Sequence, residues 1–144
     1  MANMSNEQNL QWDELEARAQ SSFWGYLGCE LVHADEKEVI LRLDAKAHHL
    51  NMIGIVHGGV LSSLLDNAMG IAASAYKQDP NIVTGSLNVN FLRPMKAGIL
   101  EVRAHVVHAT KRVLTLQGTV VNEQGELGTM ATGTFHVRGQ RAGG

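Results

Sequence analysis

The chain of 144 residues contains one cysteine, Cys29. It can therefore form no internal disulfide. No neighbouring residue stands at metal-ligand spacing from it, so it reads as a small core hydrophobe in a reducing compartment. There is also no run approaching the ~20 apolar residues of a membrane span. The N-terminus has no basic segment followed by an apolar stretch. The expectation is a cytoplasmic protein with no membrane partner. Charge of either sign is sparse and unclustered, with 12 Lys and Arg against 14 Asp and Glu and a formal net charge of −2, which leaves no basic footprint for nucleic acid. No phosphate-binding or dinucleotide-binding glycine motif occurs. The seven histidines lack zinc-type spacing. His48 and His49 are adjacent, and His105 and His108 lie three apart on a predicted strand, a spacing that sends them to opposite faces. No metal and no cofactor are expected. With two Trp, two Tyr and three Phe, no aromatic-stacking pocket is demanded.

The chain is long enough for one ordinary domain. Its residues are 44% hydrophobic, and a chain of this size buries roughly 68% of the surface exposed when unfolded. Residues 1–24 read as an N-terminal helical segment, with a capping box at Ser5-Asn6-Glu7-Gln8 and an apolar stripe of Leu10, Trp12, Leu15, Ala19 and Phe23. Gly25 and Gly28 are expected to break it. Residues 25–138 form the main domain, and 139–144 a disordered tail. Two strands, 29–33 and 39–43, precede a loop to residue 56 and a helix over 58–76. In that helix Val60, Leu61, Leu64, Leu65, Ala68, Met69, Ala72 and Ala75 make one broad apolar face. Ser62, Ser63, Asp66, Asn67, Gly70 and Ser74 make a narrow stripe opposite. A solvated helix face normally carries Lys and Glu, and their absence here predicts burial of the stripe against a subunit or a ligand. The last sixty residues alternate as strands. Thr84, Ser86, Asn88 and Asn90 share one face of the first, and turns lie at Pro94–Gly98 and Asn122–Gly125. One long helix between an early hairpin and a strand meander gives an α+β fold with a curved antiparallel sheet around the helix.

The chemistry concentrates at Asn51-Met52-Ile53-Gly54-Ile55-Val56-His57-Gly58-Gly59-Val60. Two glycines at a helix start let a ligand approach bare N–H groups where the helix dipole favours negative charge, the setting in which a developing oxyanion is stabilised. Asp66 adds a carboxylate, and together they are a minimal kit for attack of water on a carbonyl. Eight residues at 1.5 Å rise put Asp66 about 12 Å beyond Gly58 along the axis, more than an aspartate side chain recovers. If the two share a site, a second subunit with its helix antiparallel across a two-fold axis must supply the carboxylate.

Asn51, His57-Gly58-Gly59 and Asp66, followed by Phe91-Leu92-Arg93-Pro94, together resemble the hotdog-fold acyl-CoA thioesterases of the PaaI-like type, over about residues 20–138. The resemblance implies a hotdog fold and hydrolysis of acyl-CoA to free acid and coenzyme A without a cofactor. It also implies a homodimer sharing two sites, assembled as a dimer of dimers. By the same resemblance Gly58 donates its N–H to the thioester oxygen, assisted by Asn51, with Gly59, Asn67 and Ser86 among the groups that hold substrate. Asp66 of the partner activates or orients water, or attacks directly, and the Thr84 hydroxyl helps hold that water. Ser86 is an alternative to Thr84, two residues on and on the same face. His57 shapes the loop rather than acting as base, and Asn51 reads equally as a loop cap. Lys96, Lys111, Arg112 and Arg138 are candidate phosphate partners. Two other functions fit the residues less well. An acyl-thioester hydratase or dehydratase would need a His and an acid paired at the substrate, for which only His57 and Asp66 are available. A non-catalytic acyl-CoA-binding module would need a partner-binding segment that the sequence does not encode.

Overall fold

A computed structural model describes residues 13–14 and 17–139. The short helix α1 (Phe23–Leu27) leads into a hairpin of β1 (Glu30–Ala34) and β2 (Val39–Ala45). A 3-10 turn over Ala47–His49 and a loop lead to the long helix α2 (Gly58–Lys77). Four strands complete the domain: β3 (Ile82–Phe91), β4 (Gly98–Ala109), β5 (Val113–Val121) and β6 (Leu127–Val137). They form one six-stranded sheet in the order β1-β2-β4-β5-β6-β3, with every neighbouring pair antiparallel. This is the expected α+β hotdog arrangement, and its edges are the short β1 and the ten-residue β3.

Alternation along the strands drives the wrap. Val39, Leu41 and Leu43 of β2, Leu100 and Val102 of β4, Leu114 and Leu116 of β5 and Phe135 of β6 are all buried. They join Leu61, Leu64, Leu65, Ala68, Met69 and Ala72 of α2 in one core. The helix lies close enough to β5 that a β-carbon at Gly118 would stand 2.9 Å from Leu65 Cδ2, so the sheet needs a residue without a side chain there. The stripe opposite the apolar face is half-buried at Ser62, Ser63, Asp66, Asn67 and Gly70, and buried at Ser74. Among the described residues no helix is long and apolar enough to cross a membrane.

Three local expectations change. The capping box at residues 5–8, with Leu10, Trp12 and Leu15, lies outside the described residues. Within them the N-terminal helix breaks at Ser21 and Ser22, whose hydroxyls bond back to the carbonyls of Arg18 and Ala19 at 3.0 and 2.6 Å. Gly25 is not a breaker. It sits inside α1, where any β-carbon would overlap the Gln20 carbonyl. Gly28 does end α1, in the left-handed conformation at φ 91°.

The other two changes come from β-bulges, each of which adds one residue to a strand and shifts the alternation beyond it. In β3 the register slips between Thr84 and Ser86. Thr84 therefore faces α2, while Ser86 turns to the outer face and bonds Thr134 Oγ1 at 2.7 Å. Two residues here do not keep one face. In β4 the slip falls between Val106 and His108, which pair with Leu116 and Thr115. His105 and His108 thus share the outer face, opposite Gln117 and Thr115. Even so, no group of three metal-capable side chains forms among the described residues.

Candidate active site

The start of α2 is built by His57. Its backbone is extended at φ −61° and ψ 135°, and its ring Nδ1 accepts the Gly59 N–H at 2.8 Å. Its carbonyl accepts Val60 N–H at 2.9 Å and Leu61 N–H at 3.2 Å. Of the four first-turn N–H groups that a helix leaves without an internal acceptor, only that of Gly58 has no acceptor among the described residues. The glycine pair thus presents a single free donor rather than two, because His57 already holds Gly59. An accepting Nδ1 carries no proton, so the neutral His57 ring keeps its proton on Nε2. The Phe91 ring lies over Gly58, where a β-carbon would stand 3.3 Å from its Cζ atom. The aromatic of the Phe91-Leu92-Arg93-Pro94 segment therefore packs on the side of Gly58 where a side chain would project. That segment is tied down in turn, by Leu92 and Arg93 N–H to the Gly128 carbonyl at 2.8 and 3.1 Å, and the residue after it, Met95, accepts Val56 N–H at its carbonyl at 2.7 Å.

Asn51 closes the loop before the helix. Its Oδ1 accepts the N–H groups of Ile53 at 3.0 Å and Ile55 at 3.2 Å, and its backbone N–H and carbonyl pair with Ile55 O and Gly54 N. The loop-capping reading is the one the geometry displays. Any contact from Asn51 to a bound carbonyl must come from Nδ2, the donor it has left.

Asp66 lies on the same unbroken helix as Gly58, so the eight-residue offset corresponds to about 12 Å. Its Oδ1 accepts the Thr84 hydroxyl at 2.7 Å, a charge-assisted bond that fixes the carboxylate rotamer and leaves Oδ2 free. Asn67, one position on, turns to a different neighbour and places Nδ2 3.7 Å from Cys29 Sγ. Burial pushes the Cys29 thiol up to about 11, against the opposing pull of that Asn67 contact. The structure thus brings together Asp66 with Thr84, and His57 with Gly58 and Gly59, as two separate half-sites in one chain. A recess of about 640 Å³ between the β3–β4 connection and the β5–β6 turn includes none of these residues. Arg93 and Glu126 pair within it, and its lining carries both Lys96 and Glu123.

Residues 53–129 match the family described as the Thioesterase superfamily. The chain belongs to the thioesterase superfamily. Human acyl-coenzyme A thioesterase 13 is 31% identical over 111 residues, spanning 76% of this chain and 74% of that protein. The acyl-coenzyme A thioesterase PaaI of Escherichia coli K12 is 31% identical over 111 residues, spanning 76% and 78%. The solved structure of the E. coli PaaI protein from the phenylacetic acid degradation operon superposes with a TM-score of 0.78 at 27% identity, covering 89% of this chain and 93% of that one. The superfamily assignment makes the chain a thioester-cleaving enzyme of hotdog fold.

Two features of this thioesterase went unread in the sequence. Phe91 was part of the motif, but its position over Gly58 depends on β3 ending beside the helix start. His49 is the other. It is 4% exposed, and it bonds both Lys46 N–H and the Leu27 carbonyl. Its place two residues before Asn51 was the available signal. Of the four basic candidates, Lys111, Arg112 and Arg138 gather at the end of the sheet away from Gly58. There Lys77 Nζ donates to the Thr110 carbonyl at 2.7 Å, Arg112 O accepts Val137 N–H at 2.9 Å, and Arg138 N–H reaches Asn81 O at 2.8 Å. Lys96 is separate, in the recess between the β3–β4 connection and the β5–β6 turn.

Proposed function

We infer that the protein hydrolyses acyl-CoA thioesters to the free acid and coenzyme A, at sites shared by two subunits. The observation that carries this reading is the pairing of one free amide at Gly58 with a Thr84-oriented Asp66 carboxylate about 12 Å along the same helix, too far apart for one carbonyl. An antiparallel second copy joins the Gly58 of one chain to the Asp66 of the other. The unpaired ten-residue β3 edge, which carries Thr84, supports such a pairing. In each site the thioester oxygen accepts from Gly58 N–H at the positive end of the α2 dipole, with Asn51 Nδ2 within the same loop. Asp66 Oδ2 removes a proton from water as the water oxygen bonds to the carbonyl carbon. The oxyanion then collapses, the C–S bond breaks, and the leaving thiolate takes the proton back from Asp66. Direct attack by Asp66, giving a mixed anhydride that water then hydrolyses, uses the same atoms.

Gly59, Asn67 and Ser86 stand as substrate contacts only in part. Gly59 lends its lack of a side chain, Asn67 flanks Asp66, and Ser86 reaches substrate only if a second subunit meets the outer face of β3. Lys111, Arg112 and Arg138 form the net basic end to which the coenzyme A phosphates are assigned. Cytoplasmic location and a dimer of dimers complete the reading. A hydratase is disfavoured because His57 Nδ1 already accepts the Gly59 N–H, which leaves the neutral ring no free basic nitrogen to take a substrate proton. A panel of aryl and straight-chain acyl-CoAs, followed by free-thiol release, tests the assignment. Turnover of at least one member is expected, and binding of every member without thiol release would refute it in favour of an acyl-CoA-binding module.

A further inference from the structure

We propose that His49 is the positioning residue of this site, holding the Gly58 N–H at the carbonyl by clamping the site loop to the C-terminus of α1. The proposal rests on the assignment of Gly58 as the oxyanion donor. His49 is one of three buried polar side chains among the described residues, and each of its polar groups is committed. Ring Nδ1 accepts Lys46 N–H at 2.9 Å, where the loop begins. Ring Nε2 donates to the Leu27 carbonyl at 2.7 Å, across 22 residues of chain. Its backbone carbonyl accepts His57 N–H at 2.9 Å.

From His57 the path continues through Nδ1 to Gly59 N–H at 2.8 Å, so the orientation of the first helical turn is transmitted from Leu27 through the imidazoles of His49 and His57 in turn. On the other side Val56 N–H is pinned to Met95 O at 2.7 Å. Residues 56 and 57 are thus held from two directions, and Gly58 has no freedom of its own left to drift. Outside this clamp the loop is open. Met52, Ile53 and Gly54 are exposed, and the Asn51 bonds are internal to it. The Asn51 bonds give the loop its shape, while the clamp fixes where that shape stands relative to the helix. Displacement of a reacting group by about 1 Å costs up to 10² in rate even when the change is remote from the chemistry. An oxyanion site with one free helix amide has no second amide to absorb such a shift.

Two substitutions divide the clamp. His49→Asn keeps an acceptor near the position of Nδ1 for Lys46 and loses the reach to Leu27. His49→Gln keeps a donor near the position of Nε2 for Leu27 and loses the Lys46 acceptor. Both are measured far below their melting temperatures, by acyl-CoA turnover and by NMR amide hydrogen exchange at His57 and Gly59. The expected result for His49→Asn is a ten- to hundred-fold fall in kcat, KM within about twofold of wild type, and faster exchange at both amides. His49→Gln should retain more of both. A His49→Asn protein with a lower melting temperature but wild-type kcat overturns the proposal, as does unchanged protection at both amides. Failure of both variants to fold also overturns it, since holding the fold would then be the residue's whole role. If the wild-type protein cleaves no acyl-CoA, the substrate assignment fails alone and the exchange data still decide on His49.

Discussion

Mixing two inactive variants tests whether the Gly58 and Asp66 half-sites meet across subunits. Gly58→Val places a branched side chain where the Phe91 ring already lies 3.3 Å from the position of a β-carbon. The exposed ring must swing aside, and the new methyls occupy the approach to the N–H. Loss of one oxyanion donor costs roughly 10² to 10³ in rate. Asp66→Ala removes the carboxylate that Thr84 orients, at roughly 10² to 10⁴. Each variant alone should therefore be nearly silent. In a mixed dimer the two lesions fall together in one site, and the other site receives an intact Gly58 from one chain and an intact Asp66 from the other. For a fraction p of one variant, random exchange makes mixed dimers in proportion 2p(1 − p), with half their sites intact. Activity follows p(1 − p) and peaks at about one quarter of wild type at equal mixing. Free-thiol release read across mixing ratios gives the curve, and native mass spectrometry confirms exchange. Verified exchange with a flat baseline would refute the shared site, because lesions in sites internal to each chain cannot complement.

Further outcomes follow from single contacts. Thr84→Val removes the 2.7 Å bond to Asp66 Oδ1 at nearly constant shape, and a bond to a charged group is worth about 1.5–3 kcal/mol, less where solvent screens it; kcat should fall about tenfold in steady-state assays, and an unchanged value would remove Thr84 from the machinery. Cys29, pushed up to about 11 by burial, should stay almost wholly protonated at pH 8, with on the order of 10⁻³ as thiolate. A disulfide reagent at that pH should label it only after denaturation, with native-state reactivity emerging as the pH rises towards 11; rapid labelling of the native protein would contradict the burial. Gly118→Ala forces a β-carbon to 2.9 Å from Leu65 Cδ2 and 3.3 Å from the Arg103 carbonyl, which should cost roughly 1–3 kcal/mol by overpacking; thermal unfolding should show a drop of several degrees, and an unshifted midpoint would mean that α2 yields freely.

What the sequence displayed depended on how local the cause was. The burial of Val39, Leu41 and Leu43 was visible because a strand with one covered face has period two. The Asn122–Gly125 turn was equally plain, since the Asn122 side chain takes the N–H groups of Gln124 and Glu126 and Gly125 adopts φ 78°. The bulges of β3 and β4 were not legible, because an inserted residue leaves the composition unchanged and shows only as a slip against a neighbouring strand. That slip moved Ser86 away from Asp66 and brought His105 and His108 to one face. Gly25 was misread for a similar reason, as its lack of a side chain answers a carbonyl five positions back rather than a turn. At the site, the residue types around Gly58 and Asp66 were evident. The capture of the Gly59 N–H by His57, the Phe91 ring over Gly58 and the reach of His49 to Leu27 all depend on distances that only the folded chain defines.

The bare edge of β3 has a consequence for handling the protein. Its ten residues end the sheet with no strand beyond them among those described, and a long open edge templates addition of whatever extended chain it meets. If a second copy is what normally covers it, dilution uncovers it, and the melting temperature becomes a function of protein concentration through mass action. Samples at nanomolar enzyme, as used for initial rates, and samples at the concentrations used for calorimetry would then hold different populations of the same chain. Stability and turnover are comparable only when measured at matched dilution.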